Sequence, residues 1–319
     1  MTAPTRRALL GAGLASLALP GLARAAAYPE HPITLVVPFG PGGGNDVTAR
    51  TLGQFLEKEL GQPFVVQNRP GAGGEIGINA VADAKPDGYT FGILNTPGLV
   101  TIPIERKPRW TLESFTFVAG LVDDPGIIAV HPDSGIRTAA DLVAAARKEE
   151  GFTVAAQGLG STSFLSVRLL EQVAGVRFEP VIYPSLPQGV MALGQKEVRG
   201  AAANLGEGQT MSEGKPWQVV GVMAEERSAV APGIPTFREQ GFDVTIGSLR
   251  GFVGPKGIPP EVTARLGAAI EKVFADPEFI ALAQRTQQPL RLLRQGAYAR
   301  HLQDSDTKFR ALWAAKPWI

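Results

Sequence analysis

Short apolar runs alternate with amphipathic helical patterns along most of this chain, and this alternation is what most constrains its fold. The run Ile33 to Val37 has the composition of a buried strand, and the helical pattern after it ends at Gly61. The same order returns with the strand Phe152 to Ala156 and a helix that Gly175 closes, and helical periodicity then dominates from Pro260 to Trp313. Strands that alternate with helices pack in layers, with helices on the faces of largely parallel sheets. The sequence therefore predicts an α/β fold.

The length of the chain favours two domains. With 319 residues, of which 44% are hydrophobic, two medium-sized cores are expected rather than one large core. A polar segment from Asp123 to Gly126 indicates a crossing between domains, and the chain returns to the first domain around Gly247 to Val253. We therefore expect domain 1 to comprise residues 26–122 and 247–319, and domain 2 to comprise residues 123–246.

Composition excludes several classes of function. The 31 basic and 30 acidic residues leave a formal net charge of +1, so nucleic acid and acidic membrane surfaces are not expected partners. The absence of cysteine excludes disulfides, thiolate nucleophiles and Cys-bound zinc. His31, His131 and His301 are widely separated in sequence, which argues against a metal site or a Ser-His-Asp triad unless folding brings them together. We expect neither a metal nor a cofactor.

The first 25 residues have the layout of a cleaved signal peptide. A basic pair, Arg6 and Arg7, precedes an apolar region from Ala8 to Leu22, and a small-x-small sequence ends at Ala25. The apolar region is broken by Gly and Pro and is too short for a membrane anchor. The paired arginines favour the twin-arginine route, and the general secretory route stays open. The mature chain is expected to be soluble in the periplasm after cleavage near Ala25.

Two loops of this chain share one architecture. The loops FGPGGGND, from Phe39 to Asp46, and QGLGSTS, from Gln157 to Ser163, each follow a buried strand and lead into a helix. Glycine lets the backbone approach a ligand closely, and the free N–H groups of a first helical turn attract an anion. A Walker loop needs a lysine directly after its last glycine, but Gly44 is followed by Asn45. The dinucleotide-binding pattern G-x-G-x-x-G would need its third glycine at the same position, so it is absent too. The loops are therefore expected to bind a carboxylate from two sides of a cleft.

The residues of these loops also have purely structural interpretations. Asn45 and Asp46 suit helix capping, and for Asp46 we favour capping over ligand contact. The three consecutive glycines could form only a sharp turn, and the hydroxyl residues could be caps alone, although three in a row favour a ligand contact. The candidate ligand-binding residues of the two loops are Phe39, Gly42, Gly43, Gly44, Asn45, Asp46, Gly160, Ser161, Thr162 and Ser163.

Longer segments of the chain resemble a known family, the extracytoplasmic solute receptors of tripartite tricarboxylate transporters, or Bug-type proteins. The resemblance covers essentially the whole mature chain in the same order, so it is more specific than either loop alone. It rests on YPEHPITLVVPFGPGGGNDVTAR (28–50), VVQNRPGAGGEIGINAVADAKPDGYTFGI (65–93), GLGSTSFLSVRLLEQVAGV (158–176), APGIPTFREQGFDV (231–244) and GPKGIPPEVTARLGAAI (254–270).

The resemblance implies a type II periplasmic-binding-protein fold of the Venus-flytrap kind, with two α/β domains, each a mostly parallel sheet flanked by helices. It implies a monomeric receptor for a small carboxylate, such as a di- or tricarboxylate, an aromatic acid or an acidic amino acid. The receptor would deliver this ligand to the membrane permease subunits of the transporter. In the family, the two loops grip the carboxylate largely through backbone amides and bridging water. Asn95 and Thr96 lie where the family also lines its cleft.

Two segments depart from the family's pattern. They run from Ile182 to Pro187 and from Val198 to Asn204, near the distal half of the expected cleft. The group recognised at the far end of the ligand is therefore expected to be unusual. Tyr183 and Asn204 are the candidates for that distal contact, and ordinary packing or loop capping is the alternative for each.

Three functions fit these features. The leading hypothesis is a non-enzymatic receptor that closes on a carboxylate and presents it to a permease. An exported enzyme that acts on a carboxylated small molecule, with Ser161 or Asp46 in a catalytic role, is the alternative, but no base is evident beside Ser161. A sensory partner of a receptor kinase is a third possibility, which the sequence does not separate from transport.

Overall fold

A computed structural model describes residues 28–318 of the chain. The expected signal peptide, residues 1–25, and its cleavage site lie outside the described residues. The strands are β1 (Ile33–Val37), β2 (Phe64–Asn68), β3 (Thr90–Asn95), β4 (Phe115–Val130), β5 (Thr153–Ala156), β6 (Glu179–Ile182), β7 (Gly200–Asn204), β8 (Gln218–Met223), β9 (Gly247–Pro255) and β10 (Leu290–Arg294). The α-helices are α1 (Gly44–Leu60), α2 (Glu75–Ala82), α3 (Gly98–Glu105), α4 (Ala139–Lys148), α5 (Thr162–Ala174), α6 (Leu186–Gly194), α7 (Leu205–Met211), α8 (Pro260–Phe274), α9 (Pro277–Arg285) and α10 (Gln295–Ala315).

The strands form one mixed sheet in the order β2-β1-β3-β9-β4-β7-β5-β6, and β8 and β10 also pair with β4. β1 is parallel to β2 and β3, and β5 is parallel to β6 and β7. The long strand β4 is antiparallel to β9 over residues 115–125 and to β7 and β8 over residues 126–130. We call the part built on β1, β2, β3, β9 and β10 lobe 1, and the part built on β5 to β8 lobe 2. The α/β class predicted from the sequence is confirmed.

Each lobe has its own hydrophobic core. In lobe 1, α1 and α8 bury their apolar faces on the sheet, so that Leu52 and Leu266 share one buried cluster with Phe91. In lobe 2, Phe152, directly before β5, and Phe164 of α5 lie in a second cluster. The two clusters contain different residues, although the lobe 2 cluster also includes Val100 of α3 and Phe309 of α10.

Helix α10 contacts both lobes. Tyr298 and Leu302, in its first half, are buried in lobe 1. Phe309 and Trp318, at and beyond its other end, are buried in the cluster of lobe 2. The indole N–H of Trp318 donates a hydrogen bond to Glu105 Oε1 at 2.7 Å. The C-terminal segment therefore links the lobes in addition to the crossing strands β4 and β9.

The two glycines that were predicted to end helices do so. Gly61 follows α1 with φ of 76°, and its N–H donates to Glu57 O at 2.8 Å. Gly175 follows α5 with φ of 61°, and its N–H donates to Glu171 O at 3.0 Å. The left-handed backbone conformation is less favourable for a residue with a Cβ than for glycine. A glycine after a helical pattern therefore predicts the end of the helix from neighbouring residues alone.

Two other segments depend on distant strands, and the second of them differs from the expectation. The polar segment Asp123 to Gly126 lies inside β4, at the point where the pairing partner changes from β9 to β7 and β8. The helical pattern from Pro260 to Trp313 is interrupted by β10, which pairs with β4 through Leu290, Leu293 and Arg294. Both segments are strands because their backbones pair with strands that are distant in sequence. The periodicity of the local sequence contains no information about such a partner.

The half-buried Tyr28 and the fully buried Tyr298 differ in their hydrogen bonds. Tyr28 Oη donates to Gly88 O at 2.6 Å, whereas Tyr298 Oη has no partner within residues 28–318. A buried unpaired hydroxyl is destabilising, so Tyr298→Phe should raise the free energy of unfolding by about 1 kcal/mol, and Tyr28→Phe should lower it by about 1 kcal/mol. Urea denaturation of the two variants measures both changes. Equal losses in the two variants would contradict the interpretation of Tyr298.

Candidate ligand-binding cleft

Asp46 fixes the shape of the first glycine loop. Its carboxylate accepts hydrogen bonds from the N–H of Gly42 at 2.9 Å, from Asn68 Nδ2 at 2.9 Å and from Arg50 Nε at 3.0 Å. Burial opposes ionisation of Asp46, but these hydrogen bonds and the charge of Arg50 outweigh it and lower the pKa of the carboxyl. Gly42 has φ of 82°, which favours glycine. The side chain of Asp46 thus holds the shape of the loop through Gly42, which precedes the N-cap residue Gly43.

Asn45 links the same loop to the end of β3. Its Nδ2 donates to Ile93 O at 2.9 Å and to Asn95 Oδ1 at 3.3 Å. Asn95 Nδ2 in turn donates to Ser248 Oγ at 3.2 Å, and Thr96 N–H donates to Leu249 O at 3.1 Å. The structure therefore brings Asn45, Asn95 and Thr96 together at one edge of the lobe 1 sheet. The amide and hydroxyl groups that would face a ligand are here engaged in joining β3 to β9.

The second loop begins α5 in lobe 2. Ser161 is the N-cap residue, and its Oγ accepts from the N–H of Phe164 at 3.2 Å. Ser163 Oγ accepts from the N–H of Gln157 at 2.9 Å and lies 3.1 Å from Ser161 Oγ. Thr162 is buried beside them. The hydroxyls of Ser161 and Ser163 thus fix the start of α5, and the remaining free amides of its first turn are suited to an anion.

The turn at Arg69 to Gly74 lies between the two glycine loops. Leu159 O lies 3.4 Å from where a Cβ on Gly73 would be, and Phe39 Cζ lies 3.2 Å from where a Cβ on Gly74 would be. Gly160 O accepts from Thr101 Oγ1 of α3 at 3.4 Å. Within residues 28–318, no hydrogen bond joins the two loops directly. The turn thus lies beside Phe39 of the first loop and Leu159 of the second.

A buried cluster of charges joins β9, β4 and α7 beside Gly44 of the first loop. Arg250 projects from β9, and its Nη2 lies 2.8 Å from Asp124 Oδ2 of β4 and 3.2 Å from Glu207 Oε1 of α7. The side chains of Arg250 and Asp124 are each only 1% exposed, and that of Glu207 is 16% exposed. The same oxygen of Glu207 accepts from the N–H of Gly44, the first residue of α1, at 2.5 Å. A carboxylate of lobe 2 therefore occupies the amide site of the first loop.

Asp124 is held by both lobes. Its Oδ1 accepts from the N–H of Gly206 at 2.8 Å, while its Oδ2 pairs with Arg250. Burial raises the pKa of Asp124 to about 6, against the lowering effect of Arg250 and with a further increase from Glu207. The cluster is thus strained electrostatically, because one guanidinium faces two carboxylates away from water.

The structure places the two distal candidates differently. Tyr183 is half-buried and packs on the apolar cluster of lobe 2 that contains Ala155 and Leu193. Asn204 is buried beside the charge cluster, where its Nδ2 donates to the backbone oxygen of Asp124 at 2.7 Å. Both arrangements are of the packing or capping kind, and Asn204 is the one that adjoins the charge cluster.

Sequence reasoning missed Arg250, Asp124 and Glu207. One signal was present, because Arg250 stands in the otherwise apolar strand SLRGFV, and a charge between buried neighbours needs a partner. The partner itself was not evident, since Asp124 lies 126 residues away and Glu207 lies 43 residues away. Within residues 28–318, no group of three or more His, Asp or Glu side chains is arranged to hold a metal ion. None of the helices in this range could span a membrane.

Comparisons with known proteins agree with this architecture. The sequence model of the tripartite tricarboxylate transporter family receptor matches residues 48–316. A UPF0065 protein in the gbd 5' region of Cupriavidus necator is 30% identical over 304 residues, which cover 94% of this chain and 92% of the relative. MatC from Rhodopseudomonas palustris, with bound malate, is 25% identical with a TM-score of 0.78, over 89% of this chain and 99% of MatC. The R. palustris protein Rpa4515, with adipate, is 25% identical with a TM-score of 0.83, over 90% and 97%. The chain therefore belongs to the receptor family of tripartite tricarboxylate transporters.

Proposed function

We propose that this protein is an exported receptor that captures a small carboxylate in the cleft between its lobes and delivers it to the permease of a tripartite tricarboxylate transporter. One observation carries the proposal: the N–H of Gly44, at the start of α1, already donates a hydrogen bond to a carboxylate, that of Glu207, at 2.5 Å. A helix N-terminus attracts anions through its free amides. The malate and adipate bound to two similar proteins support a di- or tricarboxylate as the ligand class, with aromatic acids and acidic amino acids as further candidates.

The proposed mechanism is hinge closure about the crossing strands. We place domain 1 at residues 26–122 and 247–319, and domain 2 at residues 123–246. The change of partner within β4, from β9 to β7 and β8, supports this division. A ligand that contacts both lobes binds the closed form more tightly than the open form. The difference between the two binding free energies is the free energy by which the ligand favours closure.

The proposed ligand contacts follow the two loops and the strand ends between them. Backbone amides supply most of the hydrogen bonds, because the side chains of Asp46 and Asn45 are engaged within lobe 1. Amide donors select an anion without requiring a further buried charge. The residues proposed to line the site are Phe39, Gly42, Gly43, Gly44, Asn45, Asp46, Asn95, Thr96, Gly160, Ser161, Thr162, Ser163, Tyr183 and Asn204.

Location and assembly are part of the same proposal. We propose that the mature protein works in the periplasm as a soluble monomer, after export by the twin-arginine or the general secretory route. An exported enzyme is the second candidate, but Ser161 Oγ has only the N–H of Phe164 and Ser163 Oγ as hydrogen-bond partners within residues 28–318. A nucleophilic serine requires a base at this position, so the receptor is favoured.

A thermal-shift screen of the mature protein against malate, adipate, citrate, glutamate and benzoate tests this function. A ligand at 100 times its dissociation constant should stabilise the protein by about 2.7 kcal/mol, which raises Tm by several degrees. Chromatography of the ligand after incubation is the control. Unaltered ligand supports a receptor, whereas conversion of the ligand would favour the enzyme. No shift with any of a broad set of carboxylates would refute carboxylate binding.

A further inference from the structure

Glu207 connects the lobes through a contact that resembles a bound ligand. Its Oε1 lies 2.5 Å from the N–H of Gly44 and 3.2 Å from Arg250 Nη2, and both donors belong to segments of lobe 1. Glu207 itself lies on α7, which follows strand β7 of lobe 2. A single carboxylate oxygen thus receives one amide and one guanidinium hydrogen bond across the cleft. A carboxylate of a ligand would be recognised by the same two donors.

Arg250 has donor capacity that the protein does not use. Its side chain is 99% buried, and within residues 28–318 its Nε has no hydrogen-bond partner. Its Nη2 is divided between Asp124 and Glu207, although a guanidinium carries five donors in a planar fork. The guanidinium also lies directly against Gly44, where a Cβ would collide with it. An underused guanidinium at the N-terminus of a helix is suited to bind a carboxylate.

The charge balance of the cluster decides how a ligand can enter. Arg250 carries one positive charge, and Asp124 and Glu207 carry two negative charges when ionised. A ligand carboxylate added to this cluster would be the third carboxylate around one guanidinium, in a region shielded from water. If the ligand carboxylate replaces that of Glu207, the net charge stays the same. Exchange is therefore favoured over addition.

We propose that the Gly44 amide and the Arg250 guanidinium form the subsite for one carboxylate of the ligand, and that Glu207 fills this subsite and holds the lobes together until the ligand displaces it. This inference rests on the proposed function and extends it, because it assigns the cation that the two glycine loops lack. Glu207 becomes a built-in competitor that lowers the affinity for carboxylates. Only a ligand whose own contacts with the subsite are more favourable than those of Glu207 would bind.

The substitution Glu207→Gln tests the competition. The neutral amide keeps the shape of the side chain but loses the charge-assisted hydrogen bonds. Isothermal titration with malate, adipate and citrate should give an affinity at least about tenfold higher for Glu207→Gln than for the native protein. Glu213→Gln is the matched control, since Glu213 is exposed, lies just beyond α7 and makes no ion pair within residues 28–318. Its affinity should stay within about twofold of the native value.

The substitution Arg250→Lys tests the other half of the subsite. Lysine keeps the positive charge but presents a point charge in place of the planar fork, so the affinity for the same acids should fall at least about tenfold. Unchanged affinity would remove Arg250 from the subsite. Circular dichroism and the thermal midpoint show whether each variant is folded before its binding is compared.

The ligand-free distance between the lobes tests the role of Glu207 without any ligand. Because the chain contains no cysteine, spin labels can be attached at Gln54→Cys on α1 and Gln188→Cys on α6, both exposed. Double electron–electron resonance measures the distance between the two spin labels. It should show one short distance in the native background and in Glu213→Gln, and a longer, broader distance distribution in Glu207→Gln.

The outcomes separate this inference from the proposed function. Equal affinities in the native protein and Glu207→Gln, or equal distances in their ligand-free forms, would overturn the inference and leave a carboxylate receptor intact. Absence of binding in every variant would overturn the proposed function itself. Binding by Glu207→Gln alone would support both, since the native protein would then be blocked by its own carboxylate.

Discussion

Gly44→Ala is expected to abolish carboxylate binding, whereas Gly43→Ala, which keeps the N–H that Gly43 offers to the proposed site, is expected to lower the affinity by less than about tenfold. A Cβ on Gly44 would collide with the guanidinium of Arg250 and with the carboxylate of Glu207. The nearest atom to a Cβ on Gly43, apart from its chain neighbours, is Gly40 O at 3.8 Å. The methyl group of Gly44→Ala would therefore occupy the space in which the anion lies. We expect a loss of at least about a hundredfold, or about 2.7 kcal/mol, in titrations with malate or adipate.

The two adjacent glycines control for each other. Gly43→Ala should change the free energy of unfolding by no more than about 1 kcal/mol. Gly44→Ala must also displace the Arg250 or the Glu207 side chain, so it should lower the free energy of unfolding by about 1–3 kcal/mol. Urea denaturation checks this. Retained affinity in Gly44→Ala, with the fold intact, would show that the ligand does not approach the N-terminus of α1.

Arg250→Met is expected to lower the free energy of unfolding by about 3–5 kcal/mol, because it leaves the buried carboxylate of Asp124 without a cation. Asp124 is 1% exposed, and its remaining side-chain hydrogen bond comes from the N–H of Gly206. Methionine has a similar length, so the loss reports on charge and hydrogen bonding more than on packing. Urea or thermal denaturation at neutral pH measures the effect.

The neighbouring ion pair provides the matched control. Arg291 pairs with Asp123, the residue before Asp124, but the side chain of Arg291 is 50% exposed. Arg291→Met should therefore cost at most about 1 kcal/mol. The double variant Arg250→Met with Asp124→Asn should recover part of the loss, because it no longer buries an unpaired charge. Similar losses in Arg250→Met and Arg291→Met would contradict the structural role of the buried pair.

Several elements could be predicted because their signals are local. The run Ile33 to Val37 is β1, with the boundaries that its apolar composition indicates. Gly61 and Gly175 end their helices because the left-handed conformation at a C-terminus favours glycine. The strand-loop-helix order of Phe39 to Asp46 and of Gln157 to Ser163 was likewise readable, since it depends on neighbouring residues only.

Other features were not predictable because they depend on distant partners. β10 is a strand because it pairs with β4, more than 150 residues earlier in the chain. Asp124 lies in β4, the strand that links the lobes. Its ion pair with Arg250 offsets the free-energy cost of burying a carboxylate there. Tyr183 and Asn204 were candidates because they lie in unusual segments, and composition alone does not distinguish a cleft residue from one that packs or caps.

The sequence by itself determined that this protein is an α/β protein with two glycine loops at helix N-termini, since periodicity, glycine placement and helix amides act within a few residues. Tertiary structure decided what those loops face. The register of β4 against β9 brings Asp124 and Arg250 together across 126 residues, and the approach of the lobes adds Glu207 to the N–H of Gly44. Electrostatic partners act through space, so the charge of the cleft is a property of the fold.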